Sequence, residues 1–249
     1  MECKRFSLFM ALVPFFITSV VFISLVLYNM ATFFAENEKF APYTSGLGDS
    51  PLANAVFTVM HIICAYVGGA TMYARYTLLR QRRADKKRTG ANITQLVLGL
   101  LAILAYVMEN NFPVLVFREV HIAGVLAATV CASAYTLINT VISYRAPPEE
   151  DSRIKCHLRL AISLAVILVL GLDSTFDIIF VWIKPTSVQI YEIIDSLRVI
   201  SEWLSTVIFY GFLATFGPDF KVFGLRIPKN MEEDWFYITA SPAGDVEAN

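Results

Sequence analysis

The sequence predicts an all-α integral membrane protein, a bundle of six transmembrane helices with both termini in the cytosol. Three observations predict it. Of 249 residues, 56% are hydrophobic and only 16% are charged, against about 25% charged in an ordinary soluble domain; the mean hydropathy is +0.58. The charges are crowded into short stretches between long apolar runs, and a helix needs roughly 20 apolar residues to cross a hydrocarbon core of about 30 Å. Lysine and arginine also fall unevenly on the two sides that such a chain would have. The net charge of −1 carries little information, because the sign is segregated along the chain.

The first run, 6–30, holds 25 residues without a charge after Lys4 and Arg5. It exceeds the 7–15 apolar residues of a signal peptide, so it reads as a retained span. Further runs follow at about 53–79, 92–109, 119–144, 157–182 and 196–216. An open sheet edge is not tolerated in lipid, so these are read as helices. The segment 1–225 forms the membrane domain in this reading, and 226–249 is an acidic, Pro/Gly-containing tail expected to be disordered.

Orientation follows from the basic residues. With the N-terminus in the cytosol, 16 of the 20 Lys and Arg fall inside, Arg75 and Arg159 among them; Lys39, Arg118, Lys184 and Arg198 fall outside or in the outer half. The outer loops are then about 31–52, 110–118 and 183–195. The inner side carries loops 80–91 and 145–156 and the tail from 217. Asn92-Ile93-Thr94 is a glycosylation sequon placed at the cytosolic mouth of the third span, where it is expected to be unused. Cys3, Cys64, Cys131 and Cys156 show no metal spacing, and no disulfide is expected. Cys3, beside the first span, is a palmitoylation candidate or a plain thiol.

Ionisable residues inside spans are costly and need a reason. Arg198 and Glu202 lie at i and i+4 on one helix face; they form either a self-neutralising pair or a polar patch for a headgroup or partner. Asp173 and Asp177 share the same spacing. They either sit solvated at the outer interface or bind a cation or share a proton. His121 opens the fourth span and His61 lies in the second; helix packing accounts for them better than a metal does. The basic loop Arg80, Arg82, Arg83, Lys86, Lys87 and Arg88, with one acid, Asp85, either sets topology or attracts anionic lipid. There is no HExxH, GxSxG, Walker A or dinucleotide motif. The expectation is a protein that is not an enzyme and has no cofactor, metal or nucleic-acid partner. Its partners are the bilayer, anionic lipids included, and membrane or cytosolic proteins.

Several short motifs, in order, resemble one family. Pro42-Tyr43-Thr44-Ser45-Gly46 with Pro51 is similar to a Pro-x-Ile-Ser-Asp-x-Gly…Pro element, departing at Thr44 and at Gly46, where the family has aspartate; Asp49 lies nearby. Tyr73-Ala74-Arg75-Tyr76, Asn111-Phe112, His121-Ile122-Ala123-Gly124, Ile142-Ser143-Tyr144, Glu202-Trp203, Phe212 and Asp219-Phe220 follow. The chain thus resembles, over about 8–225, the six-span family of the DNA-damage-regulated autophagy modulators (DRAM) and their transmembrane-150, FGF-receptor-activating and post-GPI-attachment relatives. The DRAM and transmembrane-150 branch fits best, from Tyr-x-Arg-Tyr and Ser-Tyr. The resemblance implies a protein of lysosomal, endosomal, Golgi or plasma membranes that regulates autophagy. The alternatives are a lipid-handling factor (phosphoinositide-kinase recruitment, lipid asymmetry or GPI-lipid remodelling) and, from the residues Asp173 and Asp177 instead of the resemblance, a small cation- or proton-coupled transporter. Arg75, His121, Arg198 and Glu202 are expected to form a buried polar network, with Pro42, Ser45, Asp49 and Pro51 as an outer-loop motif.

Overall fold

A computed structural model describes residues 51–82, 89–112, 116–148, 151–183 and 187–222. Among them every regular element is helical: α1 (Pro51–Arg82), α2 (Thr89–Asn111), α3 (Arg118–Tyr144), α4 (Arg153–Ile178), a wide π-helical turn (Ile179–Ile183), α5 (Val188–Ala214) and the short α6 (Gly217–Val222). The run 6–30, the motif residues Pro42, Ser45 and Asp49, loop residues Arg83, Lys86, Lys87 and Arg88, and the tail from 223 lie outside the described residues. Pro51 begins α1, where its missing N–H and fixed φ cost the helix nothing.

Four helical stretches are long and apolar enough to cross a membrane: Gly90–Asn111, Arg118–Tyr144, Arg153–Ile183 and Ser196–Phe220. Helix α1, 32 residues long, packs along α2. Neighbours in the chain are neighbours in space from α1 to α5, and α5 returns to touch α1. The polarity is inverted relative to a water-soluble bundle. Leu100, Leu104, Val130, Leu164 and Leu168 are exposed, whereas Arg75, Arg159, Arg198, Asp173 and Asp177 are buried. Water would reverse that sorting, because charged side chains are almost never fully buried in soluble proteins and apolar stripes face their cores. This is an integral membrane protein.

Helix packing uses small residues, as it does where lipid offers apolar contact as good as a neighbouring helix does. A Cβ on Gly124 of α3 would lie 3.0 Å from the Glu109 backbone nitrogen and 3.2 Å from the Ala105 carbonyl oxygen of α2. A Cβ on Gly99 would meet Met72 at 2.6 Å and the Tyr135 ring at 2.8 Å. The apolar core runs from Cys64 and Met72 through Tyr106 and Tyr135 to Phe209, Phe212 and Phe216, with Tyr135 edge-on to both Phe209 and Phe212.

Two segments differ from the hydropathy reading. The helix expected from 196 begins at Val188, so the outer loop placed at 183–195 is largely helical. Ile190, Ile193 and Leu197 continue the exposed stripe, but Glu192, Asp195 and Arg198 cut that turn out of any apolar run. The tail expected from 217 begins instead with α6, folded back onto the bundle through Asp219 and Phe220, which are 0% and 1% exposed.

Candidate functional site: two buried polar clusters

The expected network of Arg75, His121, Arg198 and Glu202 is two clusters, at opposite ends of the bundle. Arg75 belongs to the end where α1, α3 and α5 finish and α4 starts. His121, Arg198 and Glu202 belong to the end where α2 and α4 finish and α3 and α5 start.

At the first end Asp219 of α6 is the hub. Its carboxylate accepts from Arg75 Nη1 at 2.9 Å, from Lys155 Nζ at 3.1 Å and from Arg159 Nη2. Arg159, counted among the inner-side cations that orient the chain and placed near the start of the fifth span, is 0% exposed inside α4. All five of its N–H donors are used: Nε on Thr215 Oγ1, Nη1 on Ser143 Oγ and Asp151 Oδ1, Nη2 on the Thr215 carbonyl and Asp219. The Phe216 ring lies under both guanidinium groups, 4.8 Å from Arg75 and 5.1 Å from Arg159. Arg75 also stands 3.7 Å from Asp151. Three cations from α1 and α4 thus meet two carboxylates, so charge is nearly balanced. A polar chain next to it ties three helices: Asn139 donates to Gln95, Gln95 to Asn92, and Asn92 to the Tyr76 carbonyl. The sequon asparagine is 7% exposed and its amide nitrogen is engaged, which is no acceptor site for a glycan.

At the opposite end Asp177 of α4 is the hub. Arg198 Nη1 donates to its Oδ1 at 2.9 Å, and the Arg198 guanidinium stacks 4.5 Å from the Phe180 ring in the π-turn. Arg198 therefore reaches across to α4. His121 places Nδ1 3.0 Å from both the Glu109 and Phe112 carbonyls. Both partners only accept, so Nδ1 carries the proton and closes two orphaned carbonyls at the end of α2. Nε2 then faces Asp177 Oδ2 at 3.6 Å. Gly124, one turn along α3, is what lets the ring come so close to α2, which gives the His-x-x-Gly pattern a physical reason. Asp173 accepts from Ser201 Oγ at 2.9 Å. Asp173 and Asp177 are 1% and 4% exposed; the interface-solvated reading of this pair is thus corrected, because both point at α5 instead of outward. Glu109 and Glu202 are buried within electrostatic reach of these aspartates and of Arg198. Among the described residues, four carboxylates face one guanidinium and one imidazole.

His61 sits apart, with its ring 6.4 Å from Trp203. Among the described residues there is no group of three or more His, Cys, Asp or Glu placed to hold a metal, and Cys64, Cys131 and Cys156 are free thiols. Arg80 is exposed beside a cleft. Sequence reasoning passed over Glu109, Asp151 and Arg159. Asp151 looks like a loop charge, and Arg159 and Glu109 look like the polar ends of spans. The one available signal was Asp219-Phe220, noted as a motif but placed beyond the membrane.

Comparison with known proteins agrees with the motifs. No solved structure matches. DNA damage-regulated autophagy modulator protein 1 of Mus musculus is 32% identical over 236 residues, covering 91% of this chain and 97% of that protein. DNA damage-regulated autophagy modulator protein 2 of Mus musculus is 27% identical, covering 80% and 78%. The modulator of macroautophagy TMEM150B of Danio rerio is 24% identical, covering 72% and 71%. The model of the Frag1/DRAM/Sfk1/Cwh43P N-terminal domain matches residues 3–223, and the chain belongs to that family.

Proposed function

We propose that this protein is a six-span membrane regulator of autophagy, with both termini in the cytosol, resident in lysosomal or endosomal membranes and acting by binding lipid or protein partners. The observation that carries the reading is a relative, named as an autophagy modulator, that is 32% identical over 91% of the chain. The acid-rich cluster around Asp177 is the functional half of the molecule in this account. Among the described residues it gathers four buried carboxylates around Arg198 and His121, a grouping in which carboxylates share protons, and that concentration of polar groups supports a role beyond helix packing. Arg198, held by Asp177 and Phe180, positions the cluster, and Glu202, one turn further along α5, is the residue on which recognition of a headgroup or partner depends. The test is autophagic flux in depleted cells complemented with wild type or Glu202→Gln at matched expression. Wild type restores flux and Glu202→Gln does not.

The same grouping of carboxylates favours a second reading, a small proton- or cation-coupled transporter. Flux into liposomes that depends on a proton or cation gradient and is lost in the Asp173→Asn/Asp177→Asn double variant would establish it over the first.

A further inference from the structure

A cleft of about 280 Å³ opens between α1, α2 and α3 at the end of the bundle that holds Asp219. Its walls are apolar, with Leu79 from α1 and Leu137, Ile138 and Val141 from α3. Leu137 and Val141 are 38% and 45% exposed, so the cleft opens on the side of the bundle that faces lipid. Its rim carries two arginines. Arg80 lies two residues before the end of α1, and Arg145 caps the end of α3; both are exposed. The buried Arg75, Arg159 and Arg198, by contrast, are committed to carboxylates. Among the described residues none of the ion pairs involves Arg80 or Arg145. The floor is closed by the satisfied Asn92–Tyr76 hydrogen bond, so it presents no unmet polar atom to a purely polar guest.

Two unpaired guanidinium groups above an apolar slot, at the level where helices leave the apolar layer, match one ligand shape: an anionic head joined to a hydrocarbon tail. Arginine is the side chain suited to a phosphodiester, because its planar fork offers parallel donors. A neutral partner helix would leave both charges unmatched, and a soluble phosphate would leave the slot unfilled. We propose that this cleft binds one acidic phospholipid, with its phosphate between Arg80 and Arg145 and an acyl chain along Leu137, Ile138 and Val141. The inference rests on the lipid-binding half of the proposed function, but it concerns a different place from the Asp177 cluster.

The test uses the full chain purified in detergent, with acyl-labelled phosphatidylserine and phosphatidylcholine as probes. Wild type is expected to prefer phosphatidylserine. Arg80→Gln/Arg145→Gln is expected to weaken that preference about thirtyfold, the factor equivalent to ~2 kcal/mol for two basic groups at a membrane surface. Val141→Trp, which fills the slot, is expected to abolish uptake of phosphatidylserine with an unchanged melting temperature. Equal affinity of wild type for the two lipids, or a preference that survives both variants, overturns the proposal. So does competition by glycerophosphoserine at the same concentration as the intact lipid, which would make the guest a free phosphate. A wild-type protein that takes up neither probe also overturns it. These outcomes are independent of the flux assay with Glu202→Gln, so either reading can fail alone.

Discussion

The two ends of the bundle handle buried charge in opposite ways. Around Asp219, Arg75, Lys155 and Arg159 meet two carboxylates, and Arg159 spends all five donors. Around Asp177, Glu109, Asp173 and Glu202 crowd a site with one guanidinium and one imidazole. The first arrangement is what a structural clamp requires, since a buried charge is tolerable only when paired and hydrogen-bonded. It ties α6 to α1 and α4. Among the described residues the second gathers four buried carboxylates around Arg198 and His121, a grouping in which carboxylates share protons instead of all being charged. On the proposed function the first is a scaffold end and the second a functional end, and mutations should respond accordingly.

The largest expected effect is at the clamp. Asp219→Asn leaves Arg75, Arg159 and Lys155 without their shared anion. Removing one partner of a buried ion pair costs about 3–5 kcal/mol, so the detergent-purified protein should melt far earlier or be lost during expression. A melting temperature equal to wild type would break the comparison. Next is Arg159→Lys, which keeps the charge but has three donors on one atom in place of a five-donor fork. A loss of about 2–3 kcal/mol is expected, read as a lower melting temperature, with the deficit absent in Arg153→Lys at an exposed position of the same helix.

A smaller effect is expected from Gly124→Ala. The added methyl would sit 3.0 Å from the Glu109 backbone nitrogen, so α2 and α3 must part by a few tenths of an ångström, at about 1–3 kcal/mol. Because His121 bridges the same gap, the variant should also impair flux at matched expression, which sharpens the link between packing and the acid-rich end. The smallest effect is none: treatment of the cellular protein with an N-glycosidase should leave its gel mobility unchanged, because Asn92 is buried and bonded to Tyr76.

Much of this architecture is legible in the residues. Long uncharged runs and confined lysine and arginine announce membrane helices, because lipid leaves little freedom at their surfaces. The start of α5 was not legible, since Glu192, Asp195 and Arg198 look like loop residues until Asp177 is seen opposite Arg198. The partnerships were the least legible. Arg75 and Asp219 are 144 residues apart in the chain, and Arg159 and Asp219 are 60 apart. Spacing along one helix gives i and i+4 neighbours such as Asp173 and Asp177, but says nothing of what a facing helix brings. Hence four residues singled out for one network belong to two.

The measurement that tests the account most directly is complementation of depleted cells with Glu202→Gln beside Asp219→Asn. Protein level, cellular location and autophagic flux would be read together. The account predicts that Glu202→Gln accumulates and localises as wild type does but fails to restore flux, whereas Asp219→Asn fails to accumulate. Full restoration of flux by Glu202→Gln, or its loss from the cell alongside Asp219→Asn, would contradict the division into a scaffold end and a functional end.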